Sequence, residues 1–175
     1  MKSILDRIFV DGLGGMAHGL FATLIIGTII QQIGLFAGGD FGNMLYMAGK
    51  MAAAMTGAGI GVGVARKFNA DQLVVVSAAT VGMIGAFAGK LLAGEVLTDG
   101  NVFLAGPGEP LGAFVAAYVA IEIGILISGK TKLDILITPF VCIGVGTATG
   151  LVVGPPISRF TVSYTHLTLP TNSRV

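Results

Sequence analysis

The chain has 175 residues, of which 54% are hydrophobic and only 11% charged, with a formal net charge of +1. A soluble domain carries about a quarter charged residues, so this chain has too little charge to solvate a water-exposed exterior, and its mean hydropathy of +0.89 agrees. The near-neutral charge speaks against a nucleic-acid partner, which needs a basic face, and the lone Cys142 leaves no internal disulfide or multi-cysteine metal site.

Residues 1–11 alternate Lys2, Asp6, Arg7 and Asp11 with Ile4, Leu5, Ile8, Phe9 and Val10. That alternation predicts an amphipathic helix lying at the cytoplasmic interface. No cleavable signal is expected, because the apolar run that follows is too long and no polar mature domain comes after it. A helix needs roughly 20 apolar residues to cross a bilayer. The charge-free stretch between Asp11 and Asp40 therefore holds a first span, near 13–33. Further spans are expected near 43–65 (containing Lys50), 72–92 (ending at Lys90), 111–127 (containing Glu122) and 135–154. Arg7, Arg66, Lys67, Lys130 and Lys132 fall on alternate connections, and Asp40, Glu95, Asp99 and Glu109 on the others. Positive loops stay inside. The expected architecture is all-α and polytopic, with five spans and a cytoplasmic amino terminus; Lys90 and Arg159 are mild exceptions to the charge rule.

Residues 124–131, GILISGKT, match the nucleotide-binding P-loop pattern by letter. That loop requires a preceding strand, whereas here the first glycine lies within a span, so Lys130 is expected to act as a topology determinant. Residues 57–63, GAGIGVG, form no dinucleotide fingerprint. They predict either a discontinuous helix lining a substrate site or close helix packing, and the small-xxx-small spacings Gly59/Gly63, Gly85/Gly89 and Gly146/Gly150/Gly154 point to packing.

Four residues are candidate solute contacts. Glu122 is expected near the bilayer midplane, where a carboxylate needs a cavity or a partner, and Lys50 is one such partner. Lys50 is also able to snorkel outward. Glu109 lies in 106–110, GPGEP, which cannot continue a helix and forms either a re-entrant turn or an ordinary outer loop. His18 is a ligand or a helix-packing group. Gln31, Gln32 and Asn43 are expected at the interface.

Residues 162–171, VSYTHLTLPT, are abruptly polar and resemble a translated sequencing adapter. The expected division is a membrane domain over 1–161 and a non-native tail over 162–175, in which His166 and Arg174 carry no functional meaning.

Residues 11–30, DGLGGMAHGLFATLIIGTII, with 56–65, TGAGIGVGVA, resemble a second family of phosphotransferase-system enzyme IIC permeases. Residues 104–114, LAGPGEPLGAF, and 129–139, GKTKLDILITP, strengthen the likeness. The family's chains are longer, and some members are membrane regulators of toxin expression. The Gly-Ile-Thr-Glu-Gly signature of related permeases does not occur in this chain. The resemblance implies a bacterial plasma-membrane protein that holds a sugar near the midplane and presents it to a separate phosphocarrier of enzyme IIB type. Phosphoryl chemistry then belongs to that partner, and this chain needs neither cofactor nor metal. The remaining expected partners are the lipid bilayer and a second copy of the chain. A regulator on the same scaffold and an ion-coupled carrier are the alternatives.

Overall fold

The computed structural model describes residues 3–168, with side chains described through Ile157 and at Arg159. Helix α1 runs without a break from Ile4 to Ala37, with wider-wound π turns at Arg7–Gly12 and Phe21–Ile25. It is followed by α2 (Gly39–Ala54), α3 (Thr56–Lys67), α4 (Gln72–Leu92), α5 (Pro110–Ile127) and α6 (Asp134–Thr168). A two-stranded hairpin, β1 (Leu97–Thr98) and β2 (Asn101–Val102), lies between α4 and α5. Among the described residues, four helices, α1, α4, α5 and α6, are long and apolar enough to cross a membrane.

Glycine decides how these helices meet. Gly38 and Gly39, both at positive φ, reverse the chain so that α1 lies antiparallel to α2 and α3. Along that pair Gly34 meets Gly42, Gly27 meets Gly49, Gly19 meets Gly59 and Gly15 meets Gly63. A β-carbon on Gly15 would stand 2.6 Å from the Gly63 carbonyl oxygen, so only glycine allows this approach. Gly57 then packs on Gly82 and Gly61 on Ala78, joining α3 to α4. Gly85 packs on Gly112 and Ala116 of α5. Helix α6 runs parallel to α4 and antiparallel to α5, with Gly146 against Val81 and Ala120, and Gly154 against Ala88. Helix α4 is thus central, and half of its apolar stretch is buried, against 11% for α1. Without an apolar driving force between helices in lipid, such close backbone packing is what holds a bundle together.

Three expectations change. The amphipathic lead-in is not a separate interfacial helix: the helix runs through Gly12, which packs close to the Phe114 ring, and continues into the span. The expected second span is two helices, broken at Met55 (ψ 10°). There the buried Thr56 hydroxyl donates to the Ala53 carbonyl at 2.6 Å, competing with the helical ladder. The GAGIGVG run itself is regular helix within α3, its glycines used for packing. Lastly, α6 does not end near 154 but continues to Thr168; its last turns fall in 162–168 of the expected tail, and residues 169–175 of that tail lie outside the described residues.

The two ends of the bundle differ in charge. Arg7, Arg66, Lys67, Lys130 and Lys132 cluster at one, here called the basic end, where the Ser128 hydroxyl donates to Asp71 at 2.7 Å and ties two turns together. Asp40, Glu95 and Asp99 lie at the opposite, acidic end.

Candidate functional site

At the acidic end, Asp99 (φ 51°) and Gly100 (φ 78°) close the β1–β2 hairpin with both central residues left-handed, as a two-residue type I′ turn demands. Leu97 pairs with Val102 and Thr98 with Asn101. After Phe103, whose N–H donates to the Val96 carbonyl at 2.8 Å, residues 103–109 run back along α4 without helix. The Lys90 ammonium donates to the Ala105 carbonyl at 3.1 Å, and the Glu109 N–H donates to the Ala86 carbonyl at 2.7 Å. Gly108 (φ 71°) presses on Ala86, where a β-carbon would come within 2.8 Å of backbone.

Ala86 lies six residues before the end of α4, about 9 Å of helix rise inside it. The segment therefore descends beside the helix rather than looping over it. Pro110 then opens α5 at the first helical position, where a missing N–H costs nothing. Glu109 is the N-cap residue, so its carboxylate sits at the positive end of a helix dipole.

This segment is the shared wall of two clefts. One, of about 450 Å³, is bounded by Leu24, Thr28 and Gln31 of α1, by Lys50 and Met51 of α2, and by 103–107. The other, of about 680 Å³, is bounded by Ala86, Lys90 and Glu95 and by 105–109. Two of the expected residues, Lys50 and Glu109, are thereby brought to opposite sides of one wall. Thr28 and Gln31, three residues apart on one helix face, join the first cleft. The sequence places Gln31 at the interface and gives Thr28 no role; the i, i+3 spacing of the two polar side chains is the signal that joins them.

Glu122 lies elsewhere. It is five residues from the end of α5, nearer the basic end than the expected midplane, and its partner is not Lys50. Its Oε1 stands 2.8 Å from Nε of Arg7. Both atoms are shielded, and their alignment makes the contact ionic rather than a well-directed hydrogen bond. The Arg7 guanidinium also lies 4.7 Å over the Phe68 ring. Phe68 meets Tyr118 edge-on at 5.7 Å, and Tyr118, one turn before Glu122, interacts with it. An arginine held by both a carboxylate and an aromatic face locks α1, the end of α3 and α5 together. His18 stands apart from both regions, with Nδ1 2.6 Å from the Gly14 carbonyl on its own helix.

The P-loop-like stretch has no strand before it. Gly124 is inside α5, packed on Cys142 and Val74. Among the described residues, no three His, Cys, Asp or Glu side chains converge on a point that would suit a metal ion.

No curated protein and no solved structure matches the chain. Residues 10–167 match the family described as Phosphotransferase system, EIIC. That match covers most of the 175 residues, and the chain, a multi-pass membrane protein by its helices, belongs to the phosphotransferase system EIIC family.

Proposed function

We propose that this EIIC chain carries a sugar across the bacterial plasma membrane, holding it in the clefts on either side of residues 103–109. The observation that supports this most is the depth of that segment, docked on Ala86 about 9 Å inside the end of α4. Non-helical backbone at membrane depth is tolerated only where it is buried in protein or lines a water-filled cavity. The backbone of this segment, the Thr28 hydroxyl and the Glu109 carboxylate, all lining the clefts, suit a ligand made of hydroxyl groups. Glu109 is the proposed acceptor for two neighbouring sugar hydroxyls, and Lys50 a contact on the other side of the wall. Glu122 is assigned to Arg7 and a structural role, and His18 to its own helix.

In this reading the basic end faces the cytoplasm by the positive-inside rule. Arg66, Lys67, Lys130 and Lys132 then meet a phosphocarrier of enzyme IIB type, which supplies the phosphoryl group while this chain binds and orients the sugar. The test is sugar uptake by cells expressing the protein with its phosphocarriers. Accumulation of sugar phosphate that depends on phosphoenolpyruvate supports a permease. Solute binding without uptake makes the protein a sensor, and uptake driven by an ion gradient makes it a carrier.

A further inference from the structure

The two clefts differ in sign, and the difference narrows the class of solute. The larger one is bordered by Lys90, Glu95 and Glu109, a mixed set in which Lys90 already donates to the Ala105 carbonyl. The smaller one has Lys50 as its sole charged lining residue. Lys50 makes no ion pair among the described residues; its ammonium stands 5.5 Å from the centre of the Tyr46 ring. It sits eleven residues into α2, about 16 Å along the helix, between α1 and the 103–107 wall. Its side chain is exposed and lines the cleft rather than being buried in protein; a cation at membrane depth without a counter-charge is costly, and the cost falls when an anion enters. Around it are the Thr28 oxygen, an acceptor whose proton is donated to the Leu24 carbonyl at 2.7 Å, the Gln31 amide and the backbone of 104–106, groups that recognise hydroxyls adjoining an anion.

We propose that the Lys50 cleft binds an anionic group flanked by hydroxyls, the chemistry of a sugar acid, with Lys50 as its counter-ion. This rests on the reading of the clefts as the solute site and adds the charge of the solute to it. The carboxylates across the wall repel the same group, so the acid is confined to the Lys50 side and the remaining hydroxyls fall toward Glu109. The headgroup of an anionic lipid offers the same chemistry, and the experiment separates the two sources.

Purified protein is titrated with sodium glucuronate and with glucose, and native mass spectrometry is run with phosphatidylglycerol and phosphatidylcholine. A charge-assisted contact contributes about tenfold or more in affinity. The expected result is that glucuronate binds at least about tenfold tighter than glucose and that Lys50→Gln abolishes the preference while Lys50→Arg retains it. Phosphatidylglycerol retention that is lost in Lys50→Gln, without glucuronate preference, supports the anion site with lipid as its occupant. Equal binding of glucuronate and glucose with no Lys50-dependent lipid retention overturns the proposal, yet leaves a neutral-sugar permease intact. Glucuronate preference in a protein that supports no uptake would uphold the site and defeat the permease reading instead.

Discussion

Helix α5 carries one carboxylate at each end, and the two are in opposite circumstances. Glu122, near the basic end, is matched by Arg7 at 2.8 Å and surrounded by the rings of Phe68 and Tyr118. Glu109, thirteen residues earlier and about 20 Å away along the helix, is fixed through its backbone to Ala86 and borders a cleft of about 680 Å³. A charge inside a membrane protein is a candidate site by default. What separates the two is their surroundings: Glu122 lies beside a guanidinium and two rings that hold the fold, whereas Glu109 lies at the edge of a cleft beside non-helical backbone, the setting in which a solute contact is proposed.

Both ends hang on the glycine-packed frame, so the largest effect is expected there. Gly85→Leu drives a side chain into Gly112, whose carbonyl would lie 2.6 Å from the new β-carbon. Overpacking alone costs about 1–3 kcal/mol, and here the obstacle is backbone, so little folded protein should be recovered by size-exclusion chromatography. Gly144→Ala is the control, because nothing lies within 4 Å of its β-carbon; replacing a helical glycine should stabilise by roughly 0.5–1 kcal/mol.

Next in size is the Arg7–Glu122 lock. Glu122→Leu strands the guanidinium, and because both side chains are about one-third or more exposed, the loss should lie near 1–3 kcal/mol rather than at the higher figure for a fully buried pair. Thermal unfolding in detergent should register it. Adding Arg7→Met should return most of the loss, since the two changes share one interaction. Additive losses would show that the pair is not coupled.

A smaller and more local effect separates Gly108 from Gly106. Both are left-handed, at φ 71° and 78°, so alanine at either costs about 1 kcal/mol in backbone strain. Only Gly108 presses on Ala86. Gly108→Ala should therefore free the segment from α4 and expose the Glu109 N–H to rapid hydrogen exchange, while Gly106→Ala leaves that amide protected. Equal exchange in both would remove the docked geometry.

Much of this was legible in the residues. The span over Gln72–Leu92 was found at its true limits because Asp71 and Lys90 mark its ends in an otherwise uncharged run. The glycine spacings predicted packing. The Arg7–Glu122 pair was not legible: its members are 115 positions apart, and nothing local ties them. The residues suggest Lys50 as one partner because both it and Glu122 fall inside apolar stretches, whereas the charge alternation around Arg7 predicts a surface helix. The β1–β2 hairpin was missed although Asp99-Gly100 is a strong turn signal, since strands of two residues give periodicity nothing to detect. The descent of 103–109 rests on Gly108 meeting Ala86, a contact that proline and glycine content permits but does not specify.

The most direct measurement compares Glu109→Gln with Glu122→Gln in the same protein, recording thermal stability and sugar affinity per folded molecule for each. Glu109→Gln should weaken affinity per folded molecule about tenfold or more, the cost of a lost charge-assisted contact. Glu122→Gln should lower the unfolding temperature by several degrees and leave affinity per folded molecule unchanged. A reversed pattern, with Glu122→Gln losing affinity at full stability and Glu109→Gln binding as the wild type does, would contradict the proposal that solute binds at the acidic end.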